Sequence, residues 1–106
     1  MEIGFNTQSL RSICENESVM DKKLGRVGAQ AFQVCLADLR AASTIADVTI
    51  NYAAKMVSPS EIELVLAEGI HVRLRAVELK TKKRKLNTID WAKLSRLKIM
   101  EIANRG

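Results

Sequence analysis

The chain has 106 residues, 47% of them apolar and 27% charged, and its 17 lysines and arginines outnumber 12 aspartates and glutamates for a formal +5. A domain this small buries a little over roughly 60% of its unfolded surface, enough for one core without metal or disulfide staples, so residues 1–106 read as a single domain. The cationic excess favours an anionic partner, nucleic acid above membrane; no apolar run approaches the ~18 residues of a span, and Glu2 stands where a secretion signal needs a basic start, so a cytoplasmic protein is expected.

Met1, Ile3 and Phe5 alternate with Glu2 and Gly4, which predicts a short N-terminal strand. Asn6 or Thr7 then caps a helix that carries Leu10, Ile13 and Cys14 on one face and is spent by Asn16. Ser18 and Asp21 have the spacing of a capping box. Met20, Leu24, Val27, Ala31, Val34, Cys35, Leu39 and Ala42 follow at steps of three and four, so a long amphipathic helix is expected with Leu24, Val27, Ala31, Cys35 and Leu39 buried. Gly25 and Gly28 each cost such a helix about 1 kcal/mol against alanine. A break near Gly25 is therefore expected, dividing a short turn ending at Lys23 from a main helix over 26–43. Cys14 and Cys35 are too few and too far apart for a zinc site or a disulfide framework and read as buried free thiols.

Beyond Asp47 the pattern changes. Segments 48–57, 62–66 and 71–77 are rich in valine, isoleucine and leucine and are separated by Ser58-Pro59-Ser60 and Ala67-Glu68-Gly69, which predicts an antiparallel meander. In the third segment Val72, Leu74 and Ala76 alternate with Arg73, Arg75 and Val77, so the polar face carries two guanidiniums about 7 Å apart. Tyr52 fills the edge of the core or stacks on a base, and Trp91 covers the core. Lys80, Lys82, Lys83, Arg84 and Lys85 make an exposed loop able to grip a phosphate backbone. A final strand over 97–102 brings Ala103, Asn104, Arg105 and Gly106 beside the sheet. The fold class is α+β, an N-terminal strand and two helices packed on one face of an antiparallel sheet of about four to five strands.

Met-Glu-Ile-x-Phe at the N-terminus, Leu-Ala-Asp-Leu-Arg-Ala-Ala-Ser at 36–43, Val-Arg-Leu at 72–74, and Ile-Asp-Trp-x-Lys-Leu followed by Leu-Lys-Ile-Met-Glu-Ile at 89–102 form a recognisable series. With it the chain resembles, over nearly its full length, the plasmid-maintenance killer proteins, the HigB-type branch of the RelE-like toxins. The resemblance implies a RelE-like fold and a toxin that cuts mRNA in the ribosomal A site, without metal or cofactor, and is neutralised by a helix-turn-helix antitoxin. The chain departs from the family in three places. Ser58-Pro59-Ser60 replaces a Gly-Asp-Arg-Lys-Gly turn, the preceding strand offers Lys55 but no histidine, and Asn104-Arg105-Gly106 stands where Asp-Tyr-His is usual.

Metal-free RNA cleavage needs a base for the 2′-hydroxyl proton, cations for the phosphorane charge and an acid for the leaving 5′-oxygen. Arg73, Lys55 and Arg105 are the candidates for the reacting phosphate, with Arg75, His71, Lys82, Lys83, Arg84 and Lys85 as further RNA contacts. His71 is the one histidine, and no partner stands at a diagnostic spacing from it. The proton-transfer half of the chemistry is thus thinly supplied, and weakened cleavage is expected. A second reading keeps the fold and the antitoxin surface in a non-catalytic binding or regulatory module. Glycine-rich phosphate loops, Ser-His-Asp orders and metal-ligand clusters are lacking, which argues against the enzymes built on them.

Overall fold

The computed structural model describes residues 1–77, 91 and 94–104. Strand β1 (Glu2–Phe5) leads into helix α1 (Gln8–Glu15), helix α2 (Glu17–Ala41) and a short helix α3 (Ile45–Thr49). Strands β2 (Ala53–Ser58), β3 (Glu61–Val65), β4 (Ile70–Ala76) and β5 (Arg96–Asn104) follow, with a 3₁₀ turn at Ala67–Gly69 before β4. The five strands form one sheet in the order β1-β5-β4-β3-β2. It is mixed: β2 to β5 pair antiparallel as the meander requires, whereas β1 runs parallel to β5, with Ile3 opposite Leu97 and Phe5 opposite Ile99. The α+β layout expected from the sequence is thus present, with one parallel pairing added at the edge.

Each helix start is explained by its cap. Thr7 Oγ1 accepts from the Leu10 backbone nitrogen at 3.1 Å, and Asn16 Oδ1 accepts from that of Val19 at 3.2 Å. Asn16 therefore ends α1 and opens α2, and the capping box expected at Ser18 and Asp21 lies inside the helix instead. Val48 and Thr49, read as strand, instead complete α3, Ile50 caps it, and β2 begins only at Ala53. Asp47 Oδ2 accepts from the backbone nitrogens of Ser43 and Thr44 at 3.1 and 3.2 Å, and this local closure of a helical turn outweighs the β-branched run Val48-Thr49-Ile50.

The expected break in the long helix occurs at Gly25, whose φ of 75° and ψ of 164° lie in a region essentially reserved for glycine. Met20 and Leu24 continue at steps of three and four into Gly28, Phe32, Cys35 and Leu39, with Ala29 and Leu36 beside them. The expectation that Val27 and Ala31 lie in the core is corrected: Val27 is 56% exposed and Ala31 half-buried, because Gly28 and Phe32 take the positions against the sheet. At Gly28 the helix comes so close to β4 that an added Cβ would stand 3.1 Å from Ile70 Cδ1. The core fills the space between α1, α2 and one face of the sheet, where Phe32, Cys35 and Leu39 meet Leu64, Val72, Leu74, Leu97 and Ile99. The Met1 nitrogen donates to the carbonyl oxygens of Arg40 and Ala42 at 3.0 and 2.7 Å, which ties β1 to the end of α2.

Candidate nucleic-acid interface

Alternation along the strands sends Ile62, Leu64, Val72, Leu74, Leu97 and Ile99 toward the helices and the intervening residues to the opposite, outer face of the sheet. Two irregularities adjust that face. A bulge between β4 and β5 lets Arg73 stand opposite Glu101 while Leu74 stands opposite Ile99, so Ile102 stays buried and Glu101 turns outward. A second, between Met56 and Ser58 in β2, keeps Lys55 opposite Glu63 and Ser58 opposite Glu61. One row across the outer face therefore reads Lys55, Glu63, Arg73, Glu101, and the next reads Ser58, Glu61, Arg75, Lys98.

The expected site residues Lys55, His71, Arg73 and Arg75 share this face, but carboxylates are interleaved with them. Glu61 lies 3.4 Å from Nε of Arg73 and 3.4 Å from Nε of Arg75. Arg73 also approaches Glu101 at 3.8 Å, and Nδ1 of His71 stands 3.0 Å from Glu63 Oε1. Sequence reasoning missed all three glutamates. The signal was available: Glu61-Ile62-Glu63 on one hairpin strand shares the parity of Arg73-Leu74-Arg75 on the next, which puts acids and bases on one side. The basic face is accordingly a charge-alternating one.

The arginine contacts are loose. Charge-assisted hydrogen bonds of this kind close to about 2.7–2.9 Å, a distance that Arg96 reaches against Glu2 at 2.9 Å and that Arg73 and Arg75 do not reach. Nε of Arg73 is buried with no hydrogen-bond partner, close to Glu61 but out of alignment with it. Such guanidiniums are neutralised without being saturated, so a phosphate oxygen can compete for them.

The remaining expected contacts divide. Lys82, Lys83, Arg84 and Lys85, with the rest of the basic loop, and Arg105 at the C-terminus lie outside the described residues. Strand β5 runs through Ala103 and Asn104, longer than the expected 97–102. Trp91 packs against the core, lining with Ile45, Met56 and Ile62 an apolar groove of about 220 Å³ beside β2. Tyr52 does not face outward to stack on a base: its hydroxyl donates to Asp38 Oδ2 at 2.6 Å, fastening the start of β2 to α2. Burial, and then that hydrogen bond, push its phenol above the ordinary range.

Cys35 is a buried thiol as expected, whereas Cys14 is only half-buried. Burial pushes Cys35 up to about 12, with the Asp38 charge adding to it and a Tyr52 hydrogen bond opposing it, and burial pushes Cys14 up to about 11. Among the described residues no three histidines, cysteines or carboxylates converge as metal ligands, and no helix is long and apolar enough to cross a membrane. Comparison with known proteins returned no match to a family model, to a curated protein or to a solved structure.

Proposed function

We propose that this chain is the toxin component of a RelE/HigB-like toxin–antitoxin pair, a cytoplasmic protein that acts on mRNA at the ribosome with slow cleavage and is held by a helix-turn-helix antitoxin. One observation carries the reading: His71, Arg73, Arg75 and Lys55 share the sheet face turned away from the helices, with both arginines held only loosely by Glu61. A phosphodiester laid on that face meets cations for its charge and an imidazole for its proton. The resemblance of the Leu-Arg-Ala-Ala and Asp-Trp…Lys-Ile-x-Glu-Ile segments to the killer proteins supports the ribosomal target. Slow cleavage follows from the family's strand histidine, which the strand of Lys55 lacks, since losing a general acid or base lowers a rate by about 10² to 10⁴.

A second reading, the non-catalytic module that keeps the fold and the antitoxin partner, is favoured by the same carboxylates. An incoming phosphate must displace Glu61 or Glu101 before it gains Arg73. Inducing the chain alone in cells separates the two. Growth arrest with messages cut inside translated codons supports the toxin; normal growth with intact messages and tight antitoxin binding supports the module.

A further inference from the structure

We propose that Glu63 is a positioning residue that holds His71 with its proton on Nδ1, so that Nε2 serves as the base for the 2′-hydroxyl of a single-stranded RNA on the outer sheet face. This rests on the RNA-directed reading above and deepens it. An ionised carboxylate has only acceptors to offer, so the 3.0 Å contact between Glu63 Oε1 and His71 Nδ1 fixes the hydrogen on Nδ1. In the neutral ring the second nitrogen is then the acceptor, the arrangement in which a carboxylate orients a catalytic or metal-binding imidazole. Both side chains are held: His71 is 21% exposed and Glu63 14%, each on a central strand of the sheet.

The pair is diagonal rather than directly opposed, because Val65 faces His71 in the register and Glu63 faces Arg73. That offset explains why no sequence spacing announced it. It also sets the imidazole beside Arg73, two residues along β4 and so about 7 Å away. Among the described residues, the charged groups that face the ring's surroundings are Glu61 and Glu63 on β3, Arg73 on β4, Glu101 on β5 and Lys55 on β2, opposite Glu63.

In the step so assigned, Nε2 takes the 2′-hydroxyl proton as the O2′–P bond forms and the P–O5′ bond breaks. The leaving 5′-oxygen takes a proton from a solvent water, the hydroxide so formed recovers the proton from the imidazolium, and the products are a 2′,3′-cyclic phosphate and a 5′-hydroxyl. Arg73 faces the phosphorane charge. Water in place of a positioned acid is a reason for the reaction to be slow.

The test uses the full chain with ¹⁵N-labelled histidine and, in parallel, translating ribosomes with primer extension on the message. Nitrogen shifts should report the Nδ1–H tautomer in the parent chain. Glu63→Gln, whose amide oxygen still accepts, should keep it, and Glu63→Ala should let the Nε2–H form grow. His71→Asn retains a donor at the Nδ1 position and lacks Nε2, so it should keep the fold while cleavage falls about 10² to 10⁴-fold. A 2′-deoxy dinucleotide, which cannot react, should shift Nε2 more than Nδ1. An Nε2–H ring in the parent chain, or cutting unchanged by His71→Asn, would overturn the inference alone and leave the toxin reading standing. A parent chain that cuts nothing while its ring is Nδ1–H overturns the base role together with the cleaving reading and leaves Glu63 a structural partner.

Discussion

Arg73 faces Glu63 in the β3–β4 register, yet its guanidinium leans along the sheet to Glu61, with Nε 3.4 Å from Oε1. The lean makes Glu61 the shared partner of Arg73 and Arg75, while Glu63 reaches His71. Glu61 therefore restrains both arginines of the outer face.

Removing that restraint has a signed consequence. Glu61→Gln should tighten binding of single-stranded RNA and steepen its salt dependence, each added phosphate contact contributing about 0.7 to the log–log slope. Affinity measured across a salt series checks this. Weaker binding with an unchanged slope would mean that Arg73 and Arg75 do not touch phosphate.

The kink is testable by stability. Gly25→Ala forces a side chain into φ 75°, ψ 164°, and should cost about 1–3 kcal/mol, read as a lower urea midpoint. A neutral or stabilising result would show that α2 runs straight through residue 25.

The buried stripe of α2 makes a paired expectation. Leu39→Ala empties a fully buried site and should cost about 2–5 kcal/mol. Val27→Ala, at a residue 56% exposed, should stay within about 0.5 kcal/mol. Equal losses in the two variants would return Val27 to the core.

Much of this architecture was legible because it is local or periodic. The alternation of Val72, Leu74 and Ala76 with Arg73 and Arg75 gave both the strand and its polar face, and a glycine in an amphipathic run gave the break at Gly25. What escaped depends on geometry that spacing does not encode. A glycine break announces itself, but spacing does not say that Gly28 rather than Val27, four and three residues beyond Leu24, is the one set against β4. The Asp47 reach-back that makes α3 competes with a β-branched run, and the outcome turns on three-dimensional closure of one turn. Pairing between Glu63 and His71 required knowing both the β3–β4 register and a diagonal reach across it.

The buried Cys35 thiol gives a pH dependence whose sign follows from burial. Cys35 titrates near 9.0 when free and near 12 in the fold, so both states are protonated below pH 9 and only the unfolded chain gains a thiolate above it. Its contribution is fully present below pH 9 and is lost as pH rises toward 12, at about 1.4 kcal/mol per pH unit for one such group. Tyr52, also shifted upward, acts in the same direction. Urea midpoints between pH 9 and 11 should fall more shallowly in Cys35→Ala than in the parent. Parallel slopes would show that the thiol is not protected.

The most direct test of the account is purified protein added to translating ribosomes, with primer extension along the message. The expected result is slow cutting within translated codons that Arg73→Ala reduces further while antitoxin binding persists. A message left intact by the parent chain, or cut equally well without Arg73, would contradict it.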